Sequence, residues 1–240
     1  MILFKKMTNT VLFGILLISF INDLSAQSEN LIVNKTENLN YLFADSRHKF
    51  TNSLFLEFVS ENVTDTLNTF VDKRDNRLYK FVKIREQIWM AENLAYKINN
   101  DCWAYKNNEE NVMKFGRLYS YEVAKNICPE GWHLPSDEEW KQLERAVGLI
   151  EFLVQLGGGR GEHSPALIEG GSSGFNIRFA GVLIGPNKFR AINKNTVFWS
   201  STEFDNLNTW HRSFDKNKPY VFRAYLPKIW GCSVRCIKDN

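Results

Sequence analysis

The chain has 240 residues, 44% hydrophobic and 14% aromatic, and its 30 basic and 27 acidic residues give a formal net charge of +3 at pH 7. This length is enough to bury one good-sized core. The charge is nearly balanced, without a basic block or an arginine-rich stripe, which argues against nucleic acid as a partner.

The N-terminus has the pattern of a secretory signal peptide. Lys5 and Lys6 form a basic region, an apolar run covers residues 11–21, and Leu24-Ser25-Ala26 precedes Gln27 as a cleavage site. The apolar run is too short for a spanning helix, which needs about 20 residues. An uncleaved membrane anchor is the alternative. We therefore expect residues 1–26 to be a signal peptide and the protein to be exported to the periplasm, the cell surface or the medium, with no membrane span after cleavage.

Residues 27–70 are polar and rich in asparagine, with short apolar patches such as Leu54-Phe55-Leu56. We interpret this segment as a leader or spacer. Asn34 and Asn62 begin glycosylation sequons, which matter only in a host that uses them. The composition changes near Asp72, so the predicted domain covers residues 71–240.

The predicted domain opens with a β-hairpin. Two β-rich runs, 78–84 and 87–90, are separated by the polar pair Arg85-Glu86. The pattern indicates a hairpin, although its turn lacks the glycine that such turns favour.

Two helices are expected next. The first lies between Gly116 and Cys128-Pro129, because proline disfavours helix in the residue before it. The second begins at a capping box, in which Ser136 is followed three residues later by Glu139. It carries an apolar stripe at helical spacing and ends near Gly148. The stripe consists of Trp140, Leu143 and Val147.

The rest of the chain is a series of short β-runs that follow two glycine-rich loops, 157–161 and 170–174. Turn residues separate the runs. The runs cover residues 175–181, 188–191, 196–201, 210–214, 220–225 and 232–238. Two helices early and strands late predict an α+β domain rather than alternating βαβ units.

The four cysteines are Cys102, Cys128, Cys232 and Cys236. Exported chains keep disulfides, so structural bridges are the favoured interpretation. Four cysteines allow three pairings. No Cys-x-x-Cys is present, and the spacings do not fit a zinc site.

Five segments of the chain resemble the Fibrobacter succinogenes major paralogous domain, a family common in secreted proteins of Bacteroidetes and Fibrobacteres. The matching segments are "VKIREQIWMAENL", "CWAYKNNEENVMKFGRLYSYEVAKNICPEGWHLPSDEEW", "SSGFN", "FWSSTEF" and "GCSVRCIKD". They occur in the family's order and cover roughly residues 72–238. The chain departs from the family's pattern in the Arg85-Glu86 turn and in the loop 179–195, which lacks a Gly-Gly-Tyr-Arg run.

This family is similar to the C-type-lectin-like fold, which it shares with the formylglycine-generating, sulfatase-modifying group. The resemblance implies two helices packed on twisted, mainly antiparallel sheets, stapled by disulfides. In such folds a cysteine near the first helix bridges to the last strand. This implies a Cys128–Cys236 bridge and leaves Cys102 for Cys232. Cys232 and Cys236 are four residues apart on one predicted strand, so their side chains are expected on the same side.

Catalytic and metal-binding interpretations find little support in the sequence. His133, Ser136 and Asp137 suggest a hydrolase, but Ser136 already serves as a helix cap, and sequence proximity does not make a triad. A formylglycine-generating site needs a reactive cysteine pair, and the terminal Cys-x-x-x-Cys has the wrong spacing. The calcium-dependent sugar motif of C-type lectins is not present. We therefore expect no catalytic residue, cofactor or metal.

Aromatic residues on the strand-and-loop half give the leading functional hypothesis. Exposed rings there could stack on sugar rings, and core packing is the alternative for each ring. The candidates are Trp199, Trp210, Tyr220, Tyr225 and Trp230. We expect an exported, non-catalytic module that presents its loop face, residues 157–217, to a glycan, a cell-surface polymer or a protein. The alternatives are an enzyme related to the formylglycine-generating group and a purely structural envelope protein.

Overall fold

The computed structural model describes residues 68–239. The predicted signal peptide and residues 27–67 of the predicted leader lie outside the described residues. The described part is α+β, with many strands and a few short helices. Among the described residues, no helix is long and apolar enough to cross a membrane.

The strands are numbered in chain order. They are β1 (Thr69–Asp72), β2 (Arg77–Ile84), β3 (Gln87–Met90), β4 (Cys102–Trp103), β5 (Leu118–Tyr119), β6 (Trp132–His133), β7 (Gly158–Arg160), β8 (Val182–Leu183), β9 (Phe189–Arg190), β10 (Asn195–Glu203), β11 (Asn208–Asp215), β12 (Val221–Pro227), β13 (Cys232–Ser233) and β14 (Ile237–Lys238). The helices are α1 (Glu110–Phe115), α2 (Tyr121–Ala124), α3 (Asp137–Ala146), α4 (Glu151–Gln155) and α5 (Ser164–Leu167).

Two sheets organise the described residues. The smaller has the strand order β1-β2-β3-β14-β6, and the larger has the order β4-β5-β13-β10-β11-β12-β7. Strands β8 and β9 form a separate pair. The run 232–238, predicted as one strand, is therefore divided, because β13 joins the larger sheet and β14 joins the smaller.

The predicted N-terminal hairpin is confirmed. Strands β2 and β3 pair antiparallel, with Ile84 opposite Gln87 across the turn. Arg85 adopts a left-handed backbone, with φ of 53°. This conformation lets a two-residue turn close without glycine, at some steric cost.

The helix predicted between Gly116 and Cys128 is wrong for its first part. Leu118 and Tyr119 form β5, which pairs with β4 on one side and β13 on the other, and only the single turn of α2 follows. Pairing inside a sheet overrides the local helical preference. Gly116 has a positive φ, and a Cβ there would lie 2.7 Å from the Cβ of Asn93, so only glycine fits at this entry to β5.

The predicted capping box is confirmed at the start of α3. The Ser136 hydroxyl accepts a hydrogen bond from the Glu139 backbone N–H at 3.2 Å, and the Glu139 carboxylate accepts from the Ser136 N–H at 2.7 Å. Trp140 and Leu143 are fully buried, as the apolar stripe predicts. Helix α3 thereby packs onto both β10 and β11.

Two clusters form most of the core. In the first, Trp140 lies 5.1 Å from Trp89, 5.9 Å from Phe175 and 5.7 Å from Phe198, measured between ring centroids. The second contains Tyr79, Tyr119, Trp199 and the C-terminal cysteines. Full burial of each large apolar side chain contributes about 1.5–3 kcal/mol relative to exposure.

The cysteine predictions are half right. Cys128 and Cys236 form a disulfide, whereas Cys102 and Cys232 are free thiols. Cys102 and Cys232 both lie opposite Tyr119, one on each side of β5. Two strand spacings separate their backbones by about 10 Å, beyond the Cα separation of about 7 Å that a disulfide tolerates. The predicted Cys102–Cys232 bridge is therefore wrong.

Peptide mapping of the native protein without reduction should show one bridge, Cys128–Cys236, and two thiols. Alkylation under native conditions should label the partly exposed Cys102 and leave the fully buried Cys232 unlabelled until the protein unfolds. A peptide linking residues 102 and 232 would contradict this pairing.

The bridge should contribute substantially to stability, since it closes a loop with a sequence separation of 108. Chain entropy predicts about 4.7 kcal/mol for a loop of that size, and native bridges deliver roughly 2–5 kcal/mol. Urea unfolding of a Cys128→Ser, Cys236→Ser double variant should show a loss in that range. A Cys102→Ser variant serves as the control and should lose much less.

Candidate functional site

Three exposed or half-buried rings gather at one end of the larger sheet. We call Phe204, Trp210 and Tyr225 the aromatic cluster. Trp210 on β11 lies directly opposite Tyr225 on β12, so both side chains are on the same face of the sheet. Phe204, just after β10, stacks on Tyr225 with ring centroids 3.9 Å apart and an interplanar angle of 2°. Trp210 meets both of the other rings edge-on.

The exposure of the cluster is uneven. Phe204 is 45% exposed and Tyr225 is 51% exposed, whereas Trp210 is half-buried. The guanidinium carbon of Arg223 lies 3.6 Å from the Trp210 ring centroid and occupies one indole face. Trp210 is therefore the ring that packs between Arg223 and the other two rings, and Phe204 and Tyr225 are the rings that are accessible from solvent.

The turn beside the cluster is held by its own hydrogen bonds. The Asp205 carboxylate accepts from the backbone N–H of Leu207 at 2.8 Å and of Asn208 at 2.7 Å. Hydrogen bonds from the Asn208 side chain and the Leu207 backbone lower the pKa of Asp205. Lys228 pairs with Glu203 at 2.9 Å and donates its backbone N–H to the Leu207 carbonyl. The turn therefore fixes the direction of Phe204.

An ionic network lies beneath the cluster. Asp137, at the first turn of α3, accepts two hydrogen bonds from Arg223, at 2.9 and 2.7 Å, and one from Arg212 at 2.7 Å. Arg212 also contacts Glu144, which lies 2.7 Å from Arg160 without hydrogen-bond geometry. The buried part of the network thus has three guanidinium groups and two carboxylates. It joins α3 to β7, β11 and β12.

The network perturbs the pKa values of its members. Burial alone would raise the pKa of Asp137, but the hydrogen bonds and charges of Arg223 and Arg212 outweigh burial and hold this pKa well below its usual range. Burial lowers the pKa of Arg160, with a further contribution from the charge of Arg212. Asp137 is therefore charged at any physiological pH and serves as the anchor of two arginines.

The structure brings together two of the five aromatic residues that the sequence suggested. Trp210 and Tyr225 belong to the aromatic cluster. Trp199 is fully buried and donates its indole N–H to the Tyr119 carbonyl at 2.7 Å, so a ligand has no access to it. Tyr220 is half-buried over Gly159, and Trp230 packs against the second core cluster.

Phe204 was missed by the sequence analysis. Its signals were its place at the end of the segment "FWSSTEF" and its position next to the turn residues "DNLN". Its partner Tyr225 is on the next strand but one, so no local pattern reveals the stacked pair.

The residues that suggested a hydrolase do not form a triad. His133 contacts Glu139 at 2.8 Å and Asp239 at 2.6 Å, and the Ser136 hydroxyl bonds to Glu139 rather than to the histidine. Asp137 belongs to the ionic network. Within residues 68–239, no group of three or more His, Cys, Asp or Glu side chains is placed to hold a metal ion.

Comparison with known proteins yields one family. The model of the Fibrobacter succinogenes major domain matches residues 82–238, well over half of the chain. Neither a curated protein nor a solved structure matches the chain. The matched range begins inside β2 and ends at β14, so it contains the aromatic cluster, the ionic network and the disulfide.

Replacing Asp137 by asparagine should destabilise the protein by about 3 kcal/mol at pH 7, because the buried Arg223 loses its carboxylate partner and Arg212 keeps only Glu144. Urea unfolding measures the loss. Glu138→Gln on the same helix is the control: Glu138 pairs with Arg145 at the surface, and such pairs contribute at most about 1 kcal/mol. Because the pKa of Asp137 is lowered, its charge stabilises the folded protein fully at any pH above the unfolded pKa of about 3.9. The difference in stability between the parent and Asp137→Asn should therefore shrink only in strong acid. Equal losses in the two variants would contradict this role.

His133 should make stability depend on pH above neutrality. Burial lowers the pKa of His133, but hydrogen bonds with Asp239 and Glu139 outweigh burial and raise it above its usual value of 6.5. The stabilisation is complete below pH 6.5 and is lost as pH rises through the raised pKa.

Thermal unfolding between pH 6 and 9 should show this decline in the parent protein and a flatter profile in His133→Gln. The buried His211, whose pKa burial lowers to about 3, is neutral in the folded state across this window, and its titration in the unfolded state affects the parent and the variant equally, so the difference between the two profiles reports His133. A variant with an unchanged slope would exclude His133 as the cause.

Proposed function

The chain belongs to the Fibrobacter succinogenes major domain family, and from that premise we propose that it is an exported, non-catalytic binding module. Its aromatic cluster contacts a glycan or cell-surface polymer. The observation that carries the proposal is the stacked pair of Phe204 and Tyr225, exposed at the end of a sheet that a buried ionic network ties to α3.

The chemistry around the cluster favours an uncharged saccharide. Lys228 is paired with Glu203, and Arg223 is paired with Asp137. Ring faces then provide most of the contact, and the Tyr225 hydroxyl provides a hydrogen-bonding group at the rim. Stacking of bases on aromatic side chains contributes about 1–3 kcal/mol per ring, and sugars are expected at the lower end of that scale.

Export is supported by two observations of different kinds. The N-terminal sequence has the features of a signal peptide, and the Cys128–Cys236 bridge suits an oxidising compartment. The same bridge ties the loop before α3 to the end of the chain, as in a C-type-lectin-like fold. We propose a relationship to that fold on this basis.

The enzymatic alternative receives less support. A formylglycine-generating chemistry requires two cysteines in contact, whereas Cys102 and Cys232 lie on either side of β5. Burial raises the pKa of both thiols and disfavours the reactive thiolate. A purely structural envelope role would leave the exposed rings without a partner.

Removing either exposed ring should weaken saccharide binding by about tenfold while the melting temperature stays within about 2 °C. The experiment is calorimetric titration of Tyr225→Ala and Phe204→Ala with the neutral hexasaccharide that binds the parent best among cellohexaose, xylohexaose and mannohexaose. Phe152→Ala is the matched control, since Phe152 is 72% exposed on α4 and is not in the cluster. Failure of all three saccharides to bind the parent would reject the proposed ligand class.

Trp210→Ala should behave differently from these two variants. It removes the ring on which Arg223 lies, so it should lower both the affinity and the free energy of unfolding. Loss of binding without loss of stability would instead make Trp210 a direct ligand contact.

A further inference from the structure

A second surface feature, which shares no residue with the aromatic cluster, is a groove between the β2–β3 turn, the end of α3 and the loop after α5. We call it the basic groove; its volume is about 580 Å³, within the range of ligand sites. Ile84, Ala146 and Val147 are its aliphatic lining residues, and Lys83 and Arg85 line it at exposed positions. Ser172 adds a hydroxyl at an exposed position.

The two cations of the basic groove are unneutralised. In the part of the chain that the structure describes, neither Lys83 nor Arg85 has an ion-pair partner, and no acidic residue lines the groove. Other arginines are paired, such as Arg145 with Glu151 and Arg178 with Glu169. The groove therefore has a local excess of positive charge that a bound anion would neutralise.

Arg85 occupies a backbone conformation that does not suit arginine. Its φ of 53° lies in the left-handed region, where a side chain costs roughly 1–2 kcal/mol. Between residues 68 and 239, six of the ten non-glycine residues with positive φ are asparagines, a residue that tolerates this region well. The turn would close more easily with glycine or asparagine, so arginine at this position costs the fold some stability. Strain of this kind is typical of functional sites.

We propose that the basic groove binds an acidic peptide segment of a partner protein. Carboxylates of the peptide pair with Lys83 and Arg85, and an aliphatic side chain lies against Ile84 and Val147. A peptide fits better than a saccharide because none of the residues that line the groove is aromatic, and sugar stacking requires ring faces. This site is independent of the aromatic cluster and of its proposed ligand.

The probe is a fluorescein-labelled hexapeptide of alternating glutamate and leucine, titrated with the full mature chain in low salt and followed by fluorescence anisotropy. Arg85→Gly and Lys83→Gln should each weaken binding by about tenfold, because each removes one charged hydrogen-bonding partner. Arg85→Gly should also keep or raise the melting temperature, since glycine accepts the left-handed backbone. Ala146→Phe keeps both cations but fills the groove, and it should abolish binding.

The matched control is Lys216→Gln, which removes one exposed charge from the distant β11–β12 turn and should leave the affinity unchanged. A peptide of alternating lysine and leucine should not bind. Tyr225→Ala should leave peptide binding intact, so failure here is distinct from failure of the saccharide proposal.

Three results would overturn the proposal. They are no saturable binding of the acidic peptide, an equal loss of affinity in Lys216→Gln, or unaltered binding in Ala146→Phe. Stronger binding of hexagalacturonate than of the peptide, lost in Arg85→Gly, would replace the peptide by an acidic glycan.

Discussion

The burial of one guanidinium group, that of Arg235, determines how the two sheets meet. Arg235 is 1% exposed and donates to the side-chain oxygen of Asn93 at 2.6 Å and to the carbonyls of Phe175 and Asn176. Its guanidinium also lies over the rings of Phe175 and Phe198. Burial lowers the pKa of Arg235 to about 9, since no carboxylate accompanies it among these partners. Neutral oxygens and ring faces therefore solvate this cation. Removing any of them would leave the buried charge with fewer compensating contacts.

Arg235 lies between β13 and β14, where the chain passes from the larger sheet to the smaller, and the next residue, Cys236, is bonded to Cys128. Non-covalent and covalent constraints thus act on neighbouring residues. Parts of three matching segments, "AENL", "SSGFN" and "FWSST", supply the groups that surround the guanidinium, and a fourth, "SVRC", supplies the arginine itself. Four of the five matching segments therefore contribute to the enclosure of one arginine.

The sequence predicted best those features whose cause is local. Patterns within a few residues predict the capping box at Ser136, the β2–β3 hairpin that ends at Met90, and the long strands β10 to β12. The helix predicted from Gly116 fails because Leu118 and Tyr119 are recruited by strands distant in sequence. The Cys102–Cys232 bridge fails because β5 lies between the two cysteines. Trp199 and Trp210 have similar sequence surroundings, and only the packed structure shows which of the two rings is covered. The interpretation of residues 1–67 stays a prediction.

The single disulfide has a consequence for the protein's response to proteolysis. The aromatic cluster, the ionic network and the part of the basic groove formed by α3, α5 and the loop after α5 lie within the stretch that Cys128 and Cys236 close. A protease that cuts one peptide bond in an exposed turn of this stretch leaves two fragments that remain covalently joined. Their strands stay paired at high effective concentration, so a nicked molecule keeps its surfaces until the bridge is reduced.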